Sequence, residues 1–150
     1  MKIRVLIVDD EEEFVHQLSE RLSLRDYDVD SCFSGQDAVE KIHKLNFDVV
    51  ILDVAMPGMD GIETLRKFKE IKPLTEVIML TGHATVESAI EGMKLGAFDY
   101  LLKPTSTDSL TDKVNKAHAR KADQEERIRQ AKANELFTSP RSVFKKEDKS

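Results

Sequence analysis

Three short segments of the chain are apolar at every position: residues 5–8, 49–52 and 77–80. A strand with one exposed face alternates polar and apolar residues. An uninterrupted apolar run of this length, rich in β-branched residues, is instead typical of a strand that is buried on both faces. Such strands form parallel sheets that are covered by helices on both sides. The three runs therefore favour an α/β architecture.

Two further strands and five helical patterns complete an alternating order. Residues 27–33 alternate polar and apolar, as an edge strand does, and residues 98–102 form the last strand. Each strand precedes an amphipathic helix, and Ser34 and Ser106 are placed to cap the second and the fifth. The order is (βα)5, which predicts a doubly wound, five-stranded parallel sheet. Right-handed crossovers favour the strand order 2-1-3-4-5.

Composition and charge argue against several classes of protein. The 150 residues include one cysteine, Cys32, so neither a disulfide framework nor a cysteine-rich metal site is expected. The first apolar run is too short for a signal peptide or a membrane span, and we expect a cytoplasmic protein. Residues 1–117 carry 14 Lys and Arg against 22 Asp and Glu, a net charge of −8, and the remainder carries 9 against 6, or +3. So acidic a domain is a poor binder of nucleic acid.

Five polar residues follow the apolar strands directly: Asp9, Asp10, Asp53, Thr81 and Lys103. The carboxyl ends of parallel strands lie at one edge of a sheet, so these side chains are expected to converge. Crowded carboxylates repel one another and favour a divalent cation, and an all-oxygen site suits Mg²⁺. The lysine and the threonine suit phosphoryl oxygens. Asp53 is therefore a candidate nucleophile for phosphoryl transfer, although a strand-end aspartate taken alone more often caps a helix or forms a turn.

Four segments resemble the motifs of response-regulator receiver domains of two-component signal transduction. They are Val8-Asp9-Asp10-Glu11, Leu52-Asp53-Val54-Ala55-Met56-Pro57-Gly58-Met59-Asp60-Gly61, Leu80-Thr81-Gly82-His83 and Tyr100-Leu101-Leu102-Lys103-Pro104. The resemblance covers about residues 1–120, and residues 81–104 look most like receivers of the nitrogen-regulatory class. It implies a flavodoxin-like, CheY-like fold.

The resemblance also implies a role for each site residue. Asp53 would take a phosphoryl group from the histidine of a sensor kinase or a phosphotransfer protein, which makes the chain a phosphoprotein. Magnesium would be bound by Asp10, Asp53 and the backbone carbonyl of Ala55, with Asp9 acting through a water molecule. Thr81 and Lys103 would hold the phosphoryl oxygens.

Further positions of the family concern switching and access. Lys103-Pro104 would be a cis peptide, Tyr100 would be the aromatic switch that moves with Thr81, and Gly82 would leave room for the phosphodonor. Ala55 and His83 offer no carboxylate or amide to orient an attacking water. We therefore expect the phosphoryl group to be lost slowly. The resemblance also implies no enzymatic activity beyond self-phosphorylation and this slow dephosphorylation.

Other classes of protein fit less well. A haloacid-dehalogenase-type phosphatase needs a second aspartate where this chain has Ala55, and a flavin binder needs hydroxyls where residues 9–13 are acidic. The serious alternative is a receiver that acts as a phosphorylation-independent docking module.

The C-terminal part has a different composition. Residues 1–119 are expected to form the receiver, and residues 120–150 a polar extension of the last helix followed by a disordered tail. No output domain fits into this length, so a separate protein or a second copy should read the signal. We expect that partner on the face of the fourth helix, the fifth strand and the last helix, whose charges are Glu87, Glu91, Lys94, Lys113 and Lys116. The extension would be an arm that modulates this binding.

Overall fold

A computed structural model describes residues 2–56, 58–82 and 85–138. Within them, five strands alternate with five helices: β1 Arg4–Val8, α1 Glu12–Leu24, β2 Asp28–Cys32, α2 Gly35–Lys44, β3 Val49–Leu52, α3 Gly61–Ile71, β4 Glu76–Thr81, α4 Val86–Lys94, β5 Asp99–Leu102 and α5 Thr107–Thr138. All strand pairs are parallel, and the order is β2-β1-β3-β4-β5. The predicted fold class and strand order are confirmed.

Both faces of the central strands are buried, which explains their lack of polar alternation. Leu6, Val8, Val50 and Leu52 face a core that contains residues of α2 and α3. The residues between them, Val5, Ile7, Val49 and Ile51, face a second core that contains residues of α1 and α5. The edge strands β2 and β5 are less buried. The apolar runs thus mark the middle of a two-sided sheet.

Several helix ends match their sequence signals. Ser34 Oγ accepts a hydrogen bond of 3.2 Å from the Asp37 backbone N–H at the start of α2. Ser106 Oγ does the same for Ser109, at 3.0 Å, at the start of α5. Gly96 follows the end of α4 with φ of +102°, a backbone conformation that glycine adopts without steric cost. Local sequence therefore determines where these helices begin and end.

Helix α4 is attached to the body differently from the other helices. Within its nine residues, all described, only Gly92 is buried. The apolar residues that predict the helix are largely exposed: Val86 is 77% exposed, Ile90 51% and Met93 46%. Leu102 on the neighbouring strand is 58% exposed. We name Val86, Ile90, Met93 and Leu102 the α4–β5 patch. The sequence did not predict it, because helical periodicity does not tell whether a neighbouring element covers the apolar face.

Helix α5 continues far beyond the sheet, over 32 residues. Arg120 forms an ion pair with the buried carboxylate of Glu76, and Lys121 lies 3.4 Å from Asp48. Contacts with the body therefore continue past residue 119, where the sequence placed the end of the receiver. From residue 126 to residue 136 every side chain is exposed. No helix in the described part of the chain is long and apolar enough to cross a membrane.

Two expectations fall on parts of the chain that the structure does not describe. His83 lies outside the described residues, and so do residues 139–150, which include the tail expected to be disordered. Both expectations stay predictions.

Candidate functional site

Asp53 is held at the end of β3 by its backbone. Its N–H donates to the Val8 carbonyl oxygen at 2.9 Å, which ties it to the end of β1. Helix α3 begins against the same residue, because a Cβ atom added to Gly61 would lie only 2.2 Å from the Asp53 carbonyl oxygen. Only glycine permits this approach. The start of α3 is therefore held close to the end of β3, beside the carboxylate.

Three carboxylates meet at this edge of the sheet, as predicted. Asp9, Asp10 and Asp53 each offer an oxygen, and these oxygens lie within 4.8 Å of one another. Asp9 and Asp53 are buried, whereas Asp10 is exposed at the mouth of the site. Oxygen ligands lie about 2.1 Å from Mg²⁺, and the ion commonly keeps some of its waters. Direct ligation by some carboxylates and ligation through water by another would span the observed separation, so the donor set fits this cation.

Lys103 is fixed at the rim of the acidic cluster by three side chains. Its Nζ atom lies 2.6 Å from Asp9 Oδ2 and 3.2 Å from Glu11 Oε1. It also lies 4.0 Å from the centroid of the Phe14 ring. The Lys103 backbone N–H donates to the Thr81 carbonyl at 2.9 Å. The ammonium group is thereby directed towards the carboxylates and away from bulk water.

Two of these contacts were missed by the sequence analysis. Glu11 is exposed, yet its carboxylate pairs with Lys103. The Phe14 ring lies under the ammonium group of the same lysine. Both roles depend on the direction of a lysine side chain that lies about ninety residues further along the chain, for which no local signal exists.

The buried charges shift one another's protonation. Burial raises the pKa of the Asp9 carboxyl above its ordinary value. The hydrogen bonds from Lys103 and from the Glu11 backbone act to lower this pKa, whereas the negative charge of Asp53 adds to the increase. Burial by itself would lower the pKa of Lys103, but the hydrogen bond and charge of Asp9, followed by the charge of Asp53, raise it. The lysine therefore stays protonated, and the cluster keeps an excess of negative charge.

The other predicted site residues surround this cluster at different distances. Thr81 is buried at the end of β4. The exposed Ala55 donates its N–H to Asp53 Oδ1 at 3.3 Å. A Cβ atom on Gly82 would meet no described atom within 4 Å, so the space above the site is open there.

Two residues of the predicted switch lie at β5 and just after it. The Lys103–Pro104 peptide bond is cis, as the resemblance implies. Tyr100 pairs in register with Met79, two residues before Thr81 on β4. Its hydroxyl lies 2.8 Å from Ser88 Oγ of α4, on the side of the sheet that carries the α4–β5 patch. Tyr100 is therefore linked to α4 through Ser88.

Fold and site together define an α/β signalling domain with an acidic cluster at the switch point of its sheet. The chain belongs to the response regulator receiver domain family, whose model matches residues 5–115. Receiver domains of this family serve two-component systems and are generally non-enzymatic signalling modules. The resemblance seen in the sequence is thus confirmed.

Several curated proteins and solved structures are similar to this chain. The chain is 39% identical over 118 residues to the transcriptional regulatory protein ZraR of Salmonella typhimurium; the match covers 79% of this chain and 27% of that protein. A CheY-like receiver domain protein from Methanospirillum hungatei is 27% identical with a TM-score of 0.80, over 83% of this chain and 99% of the other. An adenylate cyclase structure from Rhodopirellula baltica is 30% identical with a TM-score of 0.75, over 97% and 99%. The chain thus spans 27% of the length of the first of these relatives.

Proposed function

We propose that Asp53 accepts a phosphoryl group from the phosphohistidine of a sensor kinase or a histidine phosphotransfer protein. The observation that carries this proposal is the crowding of three carboxylates within 4.8 Å of one another. Among the described residues that contact them, Lys103 supplies the one cationic side chain. A cluster of this kind needs a cation from solution, and Asp53 lies within it at the carboxyl edge of the sheet.

The transfer follows from the positions of the side chains. A carboxylate oxygen of Asp53 would form the new P–O bond, while the P–N bond of phosphohistidine breaks and its electron pair returns to the imidazole ring. Asp10, Asp53 and the Ala55 carbonyl would hold Mg²⁺, with Asp9 acting through water, and the bound ion would neutralise charge on the phosphoryl oxygens. Lys103 and Thr81 would bind those oxygens. Lys103 would exchange its contact with Asp9 for one with the phosphoryl group.

Output would pass through Tyr100 to the α4–β5 patch and the neighbouring face of α5. An exposed apolar patch bordered by charges is the usual form of a protein-binding surface. The partner would be a downstream protein or a second copy of the chain in the cytoplasm, without direct contact to nucleic acid or membrane. The exposed end of α5, from residue 126, would be an arm that modulates this binding. Slow loss of the phosphoryl group would make the signal last.

The test is phosphorylation by a small phosphodonor such as acetyl phosphate, followed by intact-mass measurement. Wild type should gain one phosphoryl group only when Mg²⁺ is present, and Asp53→Asn should gain none. Asp60→Asn is the matched control: Asp60 lies in the same loop and caps α3, and asparagine caps equally well. A label that persists in Asp53→Asn, or that forms after Mg²⁺ is removed, would contradict the proposal.

The alternative is a receiver that acts as a phosphorylation-independent docking module, and the similar proteins do not favour it. Equal binding of a partner to wild type and to Asp53→Asn would support this alternative.

A further inference from the structure

Ser88 joins Tyr100 to the first turn of α4. Its backbone N–H donates to Thr85 Oγ1 at 3.0 Å, and its Oγ atom accepts from the Thr85 backbone N–H at 3.2 Å. These two bonds form a reciprocal capping box. The same Oγ atom lies 2.8 Å from the Tyr100 hydroxyl. One hydroxyl group therefore takes part both in the cap of α4 and in the contact with Tyr100.

This shared hydroxyl matters because α4 has few other attachments to the body. Gly92 is its one buried residue in a helix that is fully described. A Cβ atom on Gly92 would lie 3.9 Å from Tyr100 Cδ2, so the tyrosine ring passes beneath this part of the helix. Tyr100 thus supports α4 both near its N-terminus, through Ser88, and near its middle, at Gly92. A helix with little buried apolar surface depends strongly on such local contacts.

We propose that Ser88 is a positioning residue that couples the placement of Tyr100 to the N-terminal cap of α4. The inference rests on the proposed function, in which Tyr100 responds to phosphorylation of Asp53. When Tyr100 leaves its present position, Ser88 loses a hydrogen-bond partner and Gly92 loses the ring beneath it. The first turn of α4 then becomes less stable. Val86 and Ile90 of the α4–β5 patch therefore change position on the surface that a partner would contact.

A double-mutant cycle on the chain without phosphodonor tests the coupling directly. Thr85→Ala weakens the cap, Tyr100→Phe removes the hydroxyl, and both residues bond to Ser88. Hydrogen exchange of the α4 amides should show that the two effects are not additive, by roughly threefold to tenfold, the factor that one net hydrogen bond gives. In a Ser88→Ala background the non-additivity should disappear. Additive effects in the Ser88 background would overturn the proposal.

A second measurement uses the phosphorylated chain and separates this proposal from the proposed function. Phosphorylation of Asp53 should change α4 exchange in wild type and change it less in Ser88→Ala, while Ser88→Thr, which keeps the hydroxyl, should restore the response. An equal response in wild type and Ser88→Ala, with Asp53 fully phosphorylated, would overturn the coupling alone. Failure of Asp53 to take up phosphate would contradict the proposed function, and the cycle without phosphodonor would still decide on Ser88. If Ser88→Ala fails to fold, Tyr100→Phe keeps the cap intact and serves in its place: a wild-type response in that variant would overturn the coupling.

Discussion

Both edges of the sheet carry buried carboxylates, but only at the amino edge do basic side chains neutralise their charge. At the carboxyl edge, Asp9, Asp10 and Asp53 share a single lysine among the described residues that contact them. At the amino edge, the buried carboxylate of Glu76 is paired with Arg120 and lies 3.6 Å from Lys69. Carboxylates near basic side chains are thus common to both edges. The difference lies in how completely the charge is compensated.

This difference separates a structural ion pair from the candidate functional site. A buried charge that is fully paired stabilises one arrangement of the chain, and removing its partner is costly. A cluster with excess negative charge destabilises the fold until a cation binds, which makes it responsive to the solution. Each edge also places its cation over a phenylalanine, Lys103 over Phe14 at 4.0 Å and Arg120 over Phe98 at 4.7 Å. The similar surroundings allow matched substitutions at the two edges.

The largest effect on stability is expected at the amino edge. Arg120→Ala removes the partner of the buried Glu76 and should lower the free energy of unfolding by about 2 kcal/mol. The cost is below the roughly 3–5 kcal/mol of a broken buried pair, because Arg120 is itself partly exposed and Lys69 remains close. Urea denaturation measures this change. Arg129→Ala is the control, since Arg129 pairs with Glu126 on the exposed part of α5 and its removal should leave the free energy of unfolding nearly unchanged.

Truncations extend this test to the whole helix. Ending the chain after Glu125 keeps Arg120 and Lys121 and should leave stability and phosphorylation nearly unchanged. Ending it after His118 removes both and should destabilise the chain at least as much as Arg120→Ala. Equal stability of the two truncated chains would show that the amino-edge ion pairs contribute nothing to the body.

A substitution at the carboxyl edge should have the opposite sign. Without Mg²⁺, Asp10→Asn relieves repulsion and should raise the free energy of unfolding by about 1 kcal/mol, the value for two charges about 4 Å apart in water, because Asp10 is exposed. Added Mg²⁺ should stabilise wild type and have far less effect on the variant, since a ligand to the ion is weakened. Glu12→Gln, an exposed change in the first turn of α1, should behave like wild type. Equal Mg²⁺ affinities for Asp10→Asn and Glu12→Gln by calorimetric titration would remove Asp10 from the ligand set.

The pH dependence of stability should also differ in sign between two aspartates. Burial raises the pKa of Asp9, so the folded chain binds more protons than the unfolded chain above pH 3.8, the ordinary value for Asp. The stability contributed by protonated Asp9 is therefore lost as pH rises through the raised pKa. Asp99, at the start of β5, behaves in the opposite way. Burial by itself would raise its pKa, but the hydrogen bonds from Lys113 and the Tyr100 backbone, together with the charge of Lys113, lower it. The stability contributed by ionised Asp99 is therefore present above the ordinary pKa of Asp and is lost as pH falls through the lowered pKa.

Matched variants isolate these two contributions. In Mg²⁺-free buffer, the stability of Asp9→Asn relative to wild type should increase with rising pH. The stability of Asp99→Asn relative to wild type should instead decrease as pH rises, because wild type gains stability when Asp99 loses its proton. The measurement is the thermal midpoint between about pH 3 and pH 7, where carboxyl groups titrate. The same trend in both variants would contradict the assigned shifts.

The sequence predicts those features that repeat a local rule. Unbroken apolar runs indicate buried parallel strands, and the position just after each run places Asp9, Asp10, Asp53 and Thr81 at one edge of the sheet. These inferences need no knowledge of side-chain direction. The parallel order of the strands then follows from the handedness of the crossovers.

Features that depend on distant pairs were not predictable in this way. Glu76 and Arg120 are 44 positions apart, and nothing local distinguishes that arginine from the solvated charges that follow it along α5. The exposure of Ile90 and Met93 has the same origin, because it depends on which elements pack around α4. The contact between Ser88 and Tyr100 likewise appears only once α4 is placed over β5.

The smallest and most selective expected effect concerns the two phenylalanines. Phe14 and Phe98 pack, partly buried, against the same core cluster, so a change to leucine should destabilise the chain similarly at both positions, by about 1 kcal/mol. A cation–π contact contributes roughly 0.5–1 kcal/mol at an exposed site. In Phe14→Leu that loss falls on Lys103, whose ammonium becomes less well placed beside Asp53. In Phe98→Leu the loss falls on Arg120, at the amino edge of the sheet.

Phosphorylation of Asp53 by acetyl phosphate should therefore be slowed about twofold to fivefold by Phe14→Leu, as expected for such an energy. The reaction should proceed at the wild-type rate in Phe98→Leu. Equal slowing in both variants would mean that general loosening of the core controls the reaction and that the ring beneath Lys103 has no specific part in it.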